Sequence, residues 1–152
     1  MDFEALDEVI NNYLEKFDLT ASIGLDFGCY PDDEEIEYAI VIPERFQKLW
    51  TEYLTDRYPD VTAPIFIWAL LHEVGHCMTN DYFTPTAKEI FREYKDSLDG
   101  DDDEQTFEYY NCFDEAMATE WAYLYIRDNQ EELIKFWNEV QKELNKIYEK
   151  VS

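Results

Sequence analysis

Histidine and positive charge are both scarce in this sequence. Of 152 residues, two are histidine, and 12 lysines and arginines stand against 36 aspartates and glutamates. The net charge of −24 repels phosphate backbones and anionic lipid, which argues against direct binding of nucleic acid or of a membrane surface. The three cysteines, Cys29, Cys77 and Cys112, form no CxxC pair and are too widely spaced for a disulfide framework. They fit reduced thiols of a cytoplasmic protein, packed as small hydrophobes. The longest apolar run, 63–71, is far too short to span a bilayer. Met1-Asp2-Phe3-Glu4 offers neither the basic start nor the apolar stretch of a signal peptide. Only four glycines and five prolines are present, and with them no linker, repeat or low-complexity tract.

What remains is rich in core-forming residues: 46% hydrophobic and 17% aromatic. That composition excludes a disordered tail and predicts one domain over 1–152, with enough chain for a real core. The simplest account of the acidity is solubility. A more specific account is a basic partner, or an acidic interaction protein that imitates a nucleic acid surface.

Spacing predicts the order of elements. Apolar residues at Phe3, Leu6, Val9, Ile10, Tyr13, Leu14 and Phe17 mark an amphipathic helix over 2–17. Alternation of Ala21, Ile23, Leu25 and Phe27 predicts a strand over 20–30, weakened by Gly24 and Gly28. A turn at 31–34 leads to a second strand over 35–42, so a hairpin or small antiparallel sheet is expected. Phe46, Leu49, Trp50, Tyr53, Leu54 and Tyr58 form a helical stripe after Pro43. The next helix, with Thr62 as its expected cap and Pro64 in its first turn, is apolar nearly all round and should be central. Gly75 inside it implies close approach of another element. A helix from Thr84-Pro85 to about Leu98 follows. The acidic segment 99–104 fails the calcium-loop pattern, with Glu104 at its sixth position and Tyr110 at its twelfth, and is expected to be an open, solvated loop. Two helices over 106–128 and 131–150 end the chain. The stripe expected for the first is Phe107, Tyr110, Phe113, Ala116, Met117, Trp121, Leu124 and Tyr125. The class is α+β, mostly helical, with a small antiparallel sheet preceding the central helix.

Both histidines lie on that central helix, in His72-Glu73-Val74-Gly75-His76. Positions four apart share a helix face, so His72 and His76 can hold one divalent ion while Glu73 reaches a water bound to it. Two histidines placed at random would give this spacing, with Glu after the first, about twice in a thousand chains. A catalytic zinc site takes three protein ligands and keeps a position open. With no third histidine, the third ligand must be a carboxylate or a cysteine. The stretch 111–122 is the richest source. There Glu115 sits among Ala116, Ala118 and Ala122, which permit close helix approach, and Thr119 shares its face and could orient a ligand histidine. Asp114 and Glu120 point to other faces and are expected in solvent.

In these residues, His72-Glu73-Val74-Gly75-His76 and Glu115-Ala-Met-Ala-Thr119-Glu-Trp-Ala122, the chain resembles gluzincin-like zinc metallopeptidases, above all the small ImmA/IrrE-type and phage-encoded ones. The resemblance covers the two central helices and the preceding sheet. It implies a zincin-like fold, Zn2+ on His72, His76 and Glu115, and Glu73 as general base. It further implies proteolysis of a specific protein, typically a DNA-binding repressor in that group. Thr119 stands where those proteins usually have Asn or Asp. Two other schemes remain. Gly28-Cys29 lies upstream of the motif, as a cysteine ligand does in peptide deformylases, although the glycine-rich segment with glutamine is missing. Alternatively the scaffold is catalytically silent and acts by binding. If it is a peptidase, a strand such as 35–42 could pair with an extended substrate, and the acidic surface would draw in a basic segment.

Overall fold

The computed structural model describes residues 3–151. Helix α1 (Glu4–Leu14) buries Leu6, Ile10 and Leu14, one side chain per turn on a single face. A 3-10 turn over Glu15–Phe17 ends at Asp18, which takes a left-handed φ of 56°, a conformation that aspartate tolerates better than most residues. The chain then enters a three-stranded sheet of β1 (Thr20–Ile23), β2 (Gly28–Tyr30) and β3 (Glu35–Tyr38).

The sheet order is β1-β3-β2, with β3 parallel to β1 and antiparallel to β2. The sheet is therefore mixed, not antiparallel, and the expected strand over 20–30 is two strands on opposite sides of β3. The break falls at Gly24. Its N–H donates to the Tyr38 carbonyl at 2.8 Å, and a Cβ there would strike the Glu37 carboxylate. The chain leaves the sheet at this point. Leu25, placed by alternation on the buried face, is 91% exposed. The strand expected over 35–42 ends at Tyr38, whose buried hydroxyl donates to Asp7 Oδ1 at 2.8 Å. On the outer edge of β1, Asn11 accepts from the Ala21 N–H at 2.7 Å and donates to its carbonyl at 3.0 Å. A side chain of α1 thus closes that edge, and β3 is bonded on both sides, so β2 carries the open edge.

Six helices follow. In α2 (Glu44–Arg57), Leu49, Trp50, Tyr53 and Leu54 are buried. In α3 (Ile65–Thr79) every residue from Phe66 to Gly75 is buried, as expected of a central helix. Its first turn follows Pro64, which occupies the cap position, so Thr62 is not the cap. Next is α4 (Pro85–Asp96), capped by Thr84 Oγ1 accepting from the Ala87 N–H at 3.1 Å, and it buries no residue. The acidic segment is more ordered than like-charge repulsion suggests. Asp102 caps α5 (Asp103–Asn111), and Arg45 donates to the Gly100 carbonyl and to Asp103, each at 2.8 Å.

The helix expected over 106–128 is broken at Cys112, whose extended backbone (φ −57°, ψ 140°) separates α5 from α6 (Phe113–Asp128). The buried face of α6 also differs from the aromatic stripe: it is Glu115, Ala118, Thr119, Ala122 and Ile126, whereas Phe113 and Leu124 are exposed. Finally, α7 (Gln130–Val151) buries Leu133, Phe136, Val140, Leu144 and Ile147 and packs on α1, with Phe136 stacked on Tyr13 at 4.1 Å. One hydrophobic cluster joins α1, the sheet, α2, α3, α6 and α7. Among the described residues no helix is long and apolar enough to cross a membrane.

Candidate metal centre

The site is built where α3 crosses α6. They come close at Gly75, where a Cβ would run into the Ala118 carbonyl and lie 3.1 Å from Ala118 Cα. Glycine on one helix and alanines on the other bring the two backbones together, which carries the longer side chains one turn away into contact. His72 meets Thr119 and Glu115, and His76 meets Glu115. Residue numbers rise along one helix as they fall along the other, so the pair is antiparallel here.

His72 Nε2 lies 3.1 Å from Glu115 Oε1, and His76 Nε2 lies 3.1 Å from Glu115 Oε2. One ligand atom from each of His72, His76 and Glu115 falls within 4.8 Å of the others. Cys29 is not a member of this group, and neither is Asp114. Glu120 is exposed. Asp114 is not in solvent as expected. Its Oδ1 accepts from the Glu115 N–H at 2.9 Å and its Oδ2 from Lys95 Nζ at 2.7 Å.

Thr119 bears on how His72 presents itself. Its hydroxyl donates its one proton to the Glu115 carbonyl at 3.0 Å, and its oxygen lies 2.9 Å from His72 Nδ1. A hydroxyl that donates to the Glu115 carbonyl can accept from Nδ1–H, which turns Nε2 toward Glu115 Oε1, where a proton or a metal ion can be shared. The set of two imidazoles and one carboxylate fits a zinc ion.

Electrostatics around the site follow from burial and pairing. For Glu115, burial pushes the carboxyl up, but hydrogen bonds from His72 and His76 outweigh it and hold it well below the usual range. For His76, burial lowers the basicity, yet the hydrogen bond and charge of Glu115 reverse the sign. Burial likewise lowers Lys95, and the charges of Glu115 and Asp114 raise it overall. The largest effect on the Cys29 thiol is its hydrogen bond to Cys77. With burial and the nearby Glu73 charge, it keeps that thiol protonated. Cys29 and Cys77 are half-buried, and only Cys112 is fully buried.

Two cavities meet at the site. One, about 240 Å³, has mainly apolar walls that include Phe27, Phe46 and Trp50 and the exposed Leu25 and Val41, together with His72, Glu73 and Thr119. The other, about 370 Å³, is polar and contains Cys29, His76, Lys88 and Lys95. Phe27, Glu73, Tyr109 and Glu115 belong to both. Trp50 supports His72 edge-on, with ring centres 5.6 Å apart.

Lys95 and Tyr109 were not singled out by spacing. Lys95 reaches the site from α4, a helix with no periodic relation to the motif, and its scarcity as a cation was the one available signal. Tyr109 is one of twelve tyrosines and owes its position to the break at Cys112. Burial first, then the charge of Glu115, raises its hydroxyl above the usual range, so it stays a hydrogen-bond donor. Comparison with protein-family models, with curated proteins and with solved structures finds no match.

Proposed function

We propose that the chain is a zinc-dependent metallopeptidase of zincin-like fold, akin to the gluzincin-like ImmA/IrrE-type enzymes, acting in the cytoplasm on a polypeptide substrate. The observation that carries this reading is the convergence of His72, His76 and Glu115 within 4.8 Å, with Glu73 on the next position of the same helix and in the wall of both cavities. A purely structural zinc would more often have four protein ligands and would need no general base.

When bound, zinc supplies a Lewis acid that polarises the peptide carbonyl and makes water acidic enough to be deprotonated near neutral pH. The chain's own residues do the rest. Glu73 accepts the proton of the attacking water as the new carbon–oxygen bond forms. It then returns that proton to the departing nitrogen as the carbon–nitrogen bond breaks, so a peptide and water become a carboxylate and an ammonium group once water's second proton has also passed to the amine. Thr119 fixes the His72 ring, and the Tyr109 hydroxyl offers a hydrogen bond in the space where the carbonyl oxygen gains charge. An extended substrate could pair with the open edge of β2, which borders the polar cavity through Gly28 and Cys29. The central strand β3 cannot serve, because both its sides are taken.

The test is zinc titration of protein stripped by a chelator. One ion per chain is expected, and hydrolysis of unstructured polypeptide should appear with it. His76→Ala and Glu115→Ala should lower affinity by more than about 100-fold, beyond the usual loss for residues that only support a ligand. Cys29→Ala should leave binding unchanged, and loss of zinc in that variant would favour the cysteine-ligand scheme. Basic peptides should be cut faster than acidic ones, with a gap that narrows as salt is added. Absence of zinc uptake at neutral pH would end the reading.

A further inference from the structure

The centre holds a cation of its own. Lys95 Nζ lies 2.8 Å from Glu115 Oε2 and 2.7 Å from Asp114 Oδ2, with 15% of its side chain exposed. Asp114 is in turn anchored to the start of α6, since its Oδ1 accepts from the Glu115 N–H at 2.9 Å. The three side chains form a closed set. Asp114 holds the ammonium, and the ammonium holds Glu115 Oε2, which also faces His76 Nε2 at 3.1 Å, while Oε1 faces His72 Nε2 at 3.1 Å. Twelve cations serve the whole chain, so placing one within reach of two carboxylates at the candidate ligand is a specific feature of this site. It also ties down α4, which buries none of its residues in the core.

We infer that Lys95 is a positioning residue for the metal centre: it holds Glu115 through Oε2, the oxygen it shares with His76 Nε2, and so fixes the carboxylate in one orientation toward the two histidines. This inference rests on the zinc reading above and extends it. A free carboxylate can rotate. A carboxylate with an ammonium on one oxygen does not do so without breaking a charge-assisted hydrogen bond. The arrangement matches the general role of groups behind metal ligands, which fix orientation and tune the charge on the donor atom. Lys95 also withdraws charge from Glu115, which leaves a bound metal more positive toward water and substrate.

The experiment uses Lys95→Met, which keeps the chain length and removes the charge, and Lys95→Arg, which keeps the charge and the donors. Zinc affinity is measured by chelator competition, and the metal environment by the visible spectrum of the cobalt(II)-substituted protein. Lys95→Met should lose about 10- to 100-fold in zinc affinity. Its cobalt spectrum should change, because a carboxylate free to rotate no longer meets the metal in one orientation. Lys95→Arg should retain most of the affinity and the wild-type spectrum. Equal affinity and an unchanged spectrum in Lys95→Met would overturn the inference while leaving the zinc site intact. Failure of the wild type to bind zinc would remove both readings. Should Lys95→Met unfold, Lys95→Arg still decides: a wild-type melting temperature with a changed cobalt spectrum would contradict the positioning role.

Discussion

Glu73→Gln is expected to slow peptide hydrolysis by about 10²- to 10⁴-fold, the usual worth of a positioned general base, while one zinc ion per chain remains bound. The amide has nearly the size and shape of the carboxylate but cannot take a proton from water. Glu73 is 9% exposed and lies in the wall of both cavities. It is not among the three residues whose ligand atoms converge, so metal affinity should change little. Removing its charge also relieves the field that raises the Cys29 thiol, and stability should not suffer. The check is a paired measurement on the same protein: zinc content by emission spectrometry and turnover of an unstructured polypeptide. Zinc retained with activity unchanged would exclude Glu73 as the base. Zinc retained with no activity in either protein would favour the alternative, an acidic binding protein on the same scaffold.

Gly75→Ala is expected to damage both the fold and the centre, although glycine to alanine normally favours a helix. The added Cβ would strike the Ala118 carbonyl on α6 and stand 3.1 Å from Ala118 Cα. Backbone atoms cannot swing aside as a flexible side chain can, so α3 and α6 must separate. Overpacking of this kind costs about 1–3 kcal/mol, against a gain of about 1 kcal/mol in helix propensity. The net expectation is a loss of up to about 2 kcal/mol, or a melting temperature lower by up to about 8 °C for a chain of this size. The larger effect falls on function. His72 is one turn before Gly75, and its contacts to Thr119 at 2.9 Å and Glu115 at 3.1 Å span the same helix pair. Separation lengthens them together, so zinc affinity should drop well beyond what the stability loss accounts for. Calorimetric melting with and without zinc measures both. A Gly75→Ala protein that melts higher and binds zinc as tightly as wild type would contradict the close crossing of α3 and α6.

The candidate metal ligands were legible in the sequence because helix periodicity relates the members of each pair. His72 and His76 are four apart on a single helix, and Glu115 and Thr119 are four apart on its partner, so each pair shares a face without any knowledge of loops. Gly75 likewise announced a close approach, and Ala118 and Ala122 lay waiting on the other side. Periodicity failed where burial and hydrophobicity part company. The buried face of α6 consists of a carboxylate, a threonine and alanines, while Phe113 is 61% exposed, so a stripe drawn through the aromatics chose the wrong side. The break at Cys112 was invisible for a related reason, since no glycine or proline marks it. The sheet was misjudged because alternation continues across Gly24, although the chain there crosses to the far edge of β3. Lys95 lies beyond any spacing rule: its meeting with Glu115 depends on how α4 docks, which is decided by tertiary contacts.

The central claim is that His72, His76 and Glu115 hold one zinc ion and that no further protein ligand completes the shell. Diffraction from crystals of the zinc-loaded protein, collected on both sides of the zinc absorption edge, tests it most directly. The account predicts a single anomalous peak per chain, within bonding distance of His72 Nε2, His76 Nε2 and one oxygen of Glu115, on the face of α3 that carries the two histidines. No peak at that position, or a peak whose fourth ligand is a protein side chain such as Cys29, would contradict it.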